Sequence, residues 1–179
     1  MSVTPDAVAS SGSSPDADSA TGLESDFEFA MGEFRAVFRG DRSYAGNHMW
    51  AQPVAGTSHR WRFGLTAYAV RLLQDVYFLD WLFEPAMPIR YRQTIGSIES
   101  KKAESDLYSP AAGVVHRIND EVLEDPSLIN AEPYDGGWMF ELDVDDADFM
   151  TPTRYREHLN QAWVVAQRTI KGQANTEEV

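Results

Sequence analysis

The stretch Gly96-Ser97-Ile98-Glu99-Ser100-Lys101-Lys102-Ala103-Glu104-Ser105-Asp106-Leu107-Tyr108-Ser109-Pro110 constrains this chain more than any other. Apolar residues stop after Ile98 and resume at Leu107 and Tyr108. That pattern predicts a strand, a tight polar turn and a second strand, with both lysines in the solvated turn. Ser100 and Ala103 flank the lysines with small side chains, leaving an amine open to another protein's active site. A primary amine held clear of the body on a stiff hairpin suits attachment of a long acyl arm.

A chain of 179 residues fits one domain with extensions. Its net charge of −13 argues against a nucleic-acid partner and against docking on anionic membranes. The charge serves solubility, or steering toward basic openings on partner enzymes. No apolar run is long enough to span a bilayer. The N-terminus lacks both the basic and apolar segments of a secretory signal and the arginines of a mitochondrial presequence, so a bacterial cytoplasm is the expected compartment. There is no cysteine, which excludes disulfides, thiolate metal sites and a cysteine nucleophile.

Residues 1–23 are rich in Ser, Ala, Asp, Pro and Gly without apolar periodicity, and are expected to be a disordered acidic arm. Asp6, Asp16, Asp18, Glu24, Asp26 and Glu28 precede the first basic residue, Arg35. The arm reads as a solvating tail or as a leader from a start codon placed too early. Phe27, Met31, Phe34 and Phe38 fall at i, i+4, i+7 and i+11, which predicts an amphipathic helix over 24–40. Short strands follow around Trp61 and Phe63, over Asp75–Asp80 (as a buried strand), around Val114, Val115 and Ile118, and over Trp138–Val144. Thr66 is a candidate N-cap for a short helix carrying Val70, Leu72 and Leu73. Pro126 and Pro133–Gly137 punctuate a loop before the last strand. Asp143, Asp145, Asp146 and Asp148 lack EF-hand spacing and read as a solvated charge run, so no metal site is expected. Thr153 is a candidate N-cap for a C-terminal helix over 151–172. Its stripe is Tyr155, Leu159, Ala162, Trp163, Ala166 and Ile170, and Gly172 ends it before a tail over 173–179.

The lysine stretch resembles the lipoyl-attachment hairpin of the glycine cleavage system H protein family, whose pattern is close to Glu-Ser-Val-Lys-Ala-x-Ser-Asp-x-Tyr-x-Pro. Glu99, Ser100, Ala103, Ser105, Asp106, Tyr108 and Pro110 match. That register puts the modified lysine at Lys102, with Lys101 where the family usually has an apolar residue. Further blocks follow at family spacing: Gly113-Val114-Val115, Ile118-Asn119, Asp125 to Tyr134, and Gly137-Trp138-Met139. Tyr44 to Trp50 resembles the family's opening block, and Gly64 to Ala69 its Gly-Ile-Thr-Asp-x-Ala.

The resemblance implies a mainly β, lipoyl or barrel-sandwich hybrid domain over 41–150, a β-sandwich with the N-terminal and C-terminal helices added. It implies a non-catalytic carrier with a covalent lipoyl group on Lys102. Its partners would be glycine decarboxylase (P protein), aminomethyltransferase (T protein), dihydrolipoyl dehydrogenase (L protein) and a lipoate ligase or lipoyl/octanoyl transferase. A monomer is expected, because the arm must visit several enzymes. In the family, a Glu of the opening block and the Asp after the lysine hold the cargo's protonated amine in a cleft. Here Asp106 remains, Met49 stands in place of the Glu, and Asn47 offers a neutral partner. Restoring an acid at position 49 is expected to slow loss of the cargo. His48, beside Trp50, reads as a packed structural histidine. Glu99 is either a recognition feature for the lipoylating enzyme or a solvated strand-end carboxylate.

A lipoyl carrier or lipoate relay in another pathway, a biotin carrier, and a non-catalytic interaction module are the alternatives. Ser100-Lys101-Lys102-Ala103 lacks the methionines that biotin attachment usually wants. The loop Trp81-Leu82-Phe83-Glu84-Pro85-Ala86-Met87-Pro88 is apolar where the family has a Leu-Pro-x-x-Gly turn. It reads either as a contact surface or as cover for the added N-terminal helix.

Overall fold

Strand pairing, more than helix packing, organises this protein. Its computed structural model describes residues 24–174, with 145 and 147 excepted. The expected disordered arm over 1–23, Asp145, the side chain of Ile170 and residues 175–179 lie outside what the structure describes. In chain order the strands and helices are β1 (Phe27–Met31), β2 (Phe34–Phe38), β3 (Ser43–Tyr44), β4 (Met49–Pro53), β5 (Arg60–Leu65), α1 (Ala67–Leu73), β6 (Val76–Trp81), β7 (Pro88–Ile89) and β8 (Thr94–Ser100). Then come β9 (Glu104–Tyr108), β10 (Gly113–Ile118), α2 (Asp120–Glu124), α3 (Leu128–Ala131), β11 (Phe140–Val144) and α4 (Pro152–Ala174).

Three antiparallel sheets result. One runs β3-β4-β5-β11-β10-β7, a second β6-β8-β9, and β1 and β2 form a separate hairpin. The first two face each other across one core. Phe63, Phe140, Leu142 and Val115 come from the larger sheet, and Leu79, Ile98 and Leu107 from the smaller. This is the expected mainly β sandwich. Gly64 matters on the larger sheet because a Cβ there would meet the Trp50 ring at 2.6 Å. Trp50 is therefore able to lie flat on the strand while its indole N–H donates to the Pro133 carbonyl at 2.7 Å.

The segment expected as a helix over 24–40 is instead the hairpin β1–β2. Phe27, Phe29 and Met31 are buried and alternate with exposed residues, a period of two. Met31 pairs with Phe34, so Gly32 and Glu33 form a two-residue turn, and Gly32 has φ +69°. Glycine at the first central position fits a type II′ turn, whose twist matches a hairpin. The hairpin covers a second apolar cluster with Tyr44, Trp50, Tyr68, Tyr155 and Leu159.

Other expectations also shift. Thr66 caps α1 as predicted, its Oγ1 accepting from the Ala69 amide. The loop around Pro126 contains two short helices, α2 and α3. Strand β6 is not buried on both faces: a bulge between Val76 and Phe78 turns both Tyr77 and Phe78 outward. The 81–87 loop folds inward at Trp81 and Phe83, which pack on Phe140 at 5.4 and 5.7 Å, and leaves Leu82 and Met87 exposed. It therefore covers the main core and not the N-terminal segment. Helix α4 starts at Pro152, one residue before the expected cap, and runs past Gly172 to Ala174. Thr153 serves a different purpose: its amide and hydroxyl both donate to Glu24, at 2.9 and 2.6 Å. Asp143 is not merely solvated but holds Arg60 at 2.7 Å.

Candidate functional site

Strands β8 and β9 meet at the turn Ser100–Ala103, with Lys101 and Lys102 at its two central positions. Glu99 pairs with Glu104, and the Ser100 amide donates to the Ala103 carbonyl at 3.0 Å. Both lysines keep negative φ, so the turn lacks the left-handed residues that hairpin twist favours. Ser100 makes up for this. Its buried hydroxyl donates to the Ala103 carbonyl at 3.0 Å and accepts from the Lys102 and Ala103 amides at 3.4 and 3.3 Å.

The two lysines differ in what holds them. The Lys101 amide donates to the Gln74 carbonyl at 3.0 Å, and its ammonium lies 3.2 Å from the Asp75 carboxylate. Gln74 and Asp75 form a left-handed corner, with φ +56° and +50°, that brings the backbone up to the turn. Among the described residues, no carboxylate or other side chain holds the Lys102 ammonium. Lys102 is exposed and stands on the rim of a groove of about 570 Å³.

Four of the five residues singled out from sequence meet at this groove: Lys102, Asp106, Asn47 and His48. Glu99 is not among its lining residues; it is half-buried on β8 and accepts from the Tyr77 hydroxyl at 3.2 Å. The floor is apolar, made by Leu65, Ala69, Leu72 and Leu73. Sequence reading placed Leu72 and Leu73 on α1 but not in the site. Nothing local marks them, because the groove exists only once α1 packs beside the hairpin.

Met49 does not line the groove. It is 1% exposed within the main core, its strand position opposite Leu65. The expectation that an acid at position 49 would serve the cleft is therefore corrected: a carboxylate there enters the core. Asp106 is the one carboxylate among the lining residues, and it accepts from the Tyr108 hydroxyl at 3.3 Å. Asn47 is held by donating to the Tyr108 carbonyl at 2.8 Å.

His48 is packed, as expected. Its φ is +64°, its ring lies 4.5 Å from that of Tyr68 and 5.2 Å from that of His158, and its Nδ1 is 2.9 Å from the Tyr155 hydroxyl. Burial, with His158 adding to it, pushes its pKa down to about 4. Burial likewise raises the Tyr155 phenol above its ordinary value. His48 is thus neutral near neutral pH and acts as a pillar under the groove edge. No group of three or more His, Cys, Asp or Glu able to hold a metal ion occurs among the described residues. No helix among them is long and apolar enough to cross a membrane.

The chain has known relatives. Residues 42–162 match the family model described as glycine cleavage H-protein. This chain belongs to the glycine cleavage H-protein family. It is 34% identical over 121 residues to the glycine cleavage system H protein of Deinococcus radiodurans, covering 67% of this chain and 95% of that one. The Micrococcus luteus glycine cleavage system H protein is 38% identical over 103 residues, 58% of this chain and 79% of its own. The crystal structure of a glycine cleavage system H protein from Mycobacterium marinum superposes with a TM-score of 0.60 at 30% identity, over 70% of this chain and 98% of that one. The family match begins at Arg42, so the β1–β2 hairpin precedes it.

Proposed function

We propose that this chain is a non-catalytic lipoyl carrier of the glycine cleavage system, with the arm joined by an amide to Lys102. The observation that carries the reading is the asymmetry of the two turn lysines. Lys101 is tied to the Gln74–Asp75 corner, while Lys102 has no side-chain partner among the described residues, is exposed and stands beside an apolar groove. An exposed ammonium retains an ordinary point charge with rotatable donors, reachable by a lipoate ligase or lipoyl/octanoyl transferase. The residues present suit the group: an amine at the rim, apolar side chains for a hydrocarbon arm, and Asp106 for a cationic cargo. Bound lipoamide supplies the disulfide–dithiol chemistry that the chain, without cysteine, lacks.

The protein's own residues then hold and present. Ser100 fixes the turn, Asn47 and His48 fix the groove edge, and Asp106 offers a carboxylate to a protonated amine. In this role the chain carries the aminomethyl group of glycine from glycine decarboxylase (P protein) to aminomethyltransferase (T protein). Dihydrolipoyl dehydrogenase (L protein) restores the arm. Tethering raises the arm's concentration at each partner to a level set by its reach. In this reading Glu99, held by the Tyr77 hydroxyl outside the groove, is a contact for the lipoylating enzyme, and a cytoplasmic monomer suits this traffic.

A second reading, a lipoyl carrier or lipoate relay for another pathway, draws support from the buried Met49, which leaves Asp106 as the groove's single acid. Intact-mass analysis after expression with lipoate and a ligase tests attachment. The lipoyl increment is expected in wild type and Lys101→Arg and absent in Lys102→Arg; an increment that survives in Lys102→Arg refutes the assignment. Glycine–bicarbonate exchange with P protein then separates the two pathways.

A further inference from the structure

One wall of the groove comes from neither the lysine hairpin nor α1. Ala166, in the C-terminal half of α4, lines it together with Ala69, Leu72 and Leu73. Ala166 follows Tyr155, Leu159 and Ala162 at the spacing of one helix face. Tyr155 and Leu159 are fully buried, and Ala162 packs on the second cluster. Ala166 is therefore the far end of an inward stripe, and its small side chain leaves the groove open.

The near end of that stripe is pinned by the added N-terminal segment. Glu24 accepts from both Thr153 groups, Arg156 lies 4.6 Å over the Phe27 ring, and Phe38 meets Tyr155 edge-on at 5.7 Å. Tyr155 also stacks on Tyr44 at 4.4 Å. From Tyr155 to Ala166 a helix advances about 16 Å, so an anchor at one end sets the wall at the other. Both parts lie outside residues 42–162, the anchor before them and Ala166 after them.

We infer that the N-terminal hairpin and the distal half of α4 form one added device that closes a side of the groove and holds the Lys102 arm against the body between deliveries. The inference rests on Lys102 carrying the arm. The groove's other walls are mostly apolar, with one carboxylate, so an added apolar wall favours the neutral arm whether or not it bears a cationic cargo.

Two measurements on the full chain test it. The first compares the unmodified and lipoylated protein by NMR, with alanine and leucine methyl groups labelled. The Ala166 methyl is expected to shift along with those of Ala69, Leu72 and Leu73. Shifts confined to the α1 methyls overturn the inference while leaving the carrier reading standing; absence of any lipoyl mass increment removes the carrier reading itself. The second uses the lack of cysteine, which makes the reduced arm's thiols the only ones to alkylate. Ala166→Trp, filling the groove, is expected to raise the alkylation rate at least about threefold, while Val164→Trp on the exposed face leaves it unchanged. An equal or slower rate in Ala166→Trp overturns the inference. Should that variant lose its helical signal, the methyl shifts in wild type remain decisive.

Discussion

Acid should loosen this protein through His48, and the size of the effect follows from its surroundings. Tyr68, Tyr155 and His158 pack around the ring, and burial with the neighbouring His158 holds its pKa at about 4 against an ordinary 6.5. The unfolded chain therefore binds a proton between those values that the folded chain refuses. Stability contributed by neutral His48 is complete above about pH 6.5 and is lost as pH falls toward 4. With the pKa moved from 6.5 to about 4, at about 1.4 kcal/mol for each tenfold change in proton affinity, the loss is about 3 kcal/mol by pH 4. The control is His48→Asn, because asparagine tolerates the left-handed φ of +64° and its amide can donate or accept where His48 Nδ1 meets the Tyr155 hydroxyl. Removing the ring costs packing at every pH, so the informative quantity is the change with pH of the difference between the two proteins. Urea unfolding followed by tryptophan fluorescence between about pH 7 and pH 4 measures it. Wild type should lose about 3 kcal/mol relative to the variant across that interval. Parallel stability curves, or a wild type that gains on the variant as pH falls, refute the reasoning.

Three further outcomes are expected. Tyr155→Ala empties a fully buried site between Tyr44, Phe38 and His48 and should cost about 3–5 kcal/mol in chemical denaturation, with early proteolytic release of α4. Ser100→Ala removes the hydroxyl that closes the lysine turn. It should cost about 1–2 kcal/mol, speed amide exchange at Lys102 and Ala103, and slow lipoylation. Met49→Glu places a carboxylate in the main core and should cost about 3–5 kcal/mol at neutral pH, with partial recovery on acidification as the acid becomes neutral; an unchanged thermal midpoint contradicts the inward placement of residue 49.

The hairpin, its two lysines and their exposure were legible because the polar turn interrupts alternating strands over a few residues. The α1 cap and the terminal stripe from Tyr155 to Ala166 were legible for the same reason: each signal is local and periodic. The N-terminal hairpin was not, since Phe27, Met31, Phe34 and Phe38 satisfy a helical period while Phe29 and Gly32 carry the competing evidence. Phe29 restores the alternation of period two, and Gly32 sits where a II′ turn needs glycine. The helical period spans more residues of the sequence; in the fold, pairing between Met31 and Phe34 decides the matter.

The misplacement of residue 49 has a different origin. Position in a motif says which residue stands where, and not which way it faces, and His48 at positive φ redirects the chain just before it. With Met49 turned into the sandwich and Asn47 engaged by the Tyr108 carbonyl, Asp106 carries the groove's negative charge alone. One carboxylate at an exposed site is worth little to an ammonium in water. Its value rises only where water is displaced, and the side chains able to displace water here are the leucines of α1 and Ala166 of α4. On the proposed carrier reading, retention of a charged cargo in this groove depends on its apolar walls as much as on its acid, and so on the packing of a helix whose near end is anchored by the N-terminal hairpin.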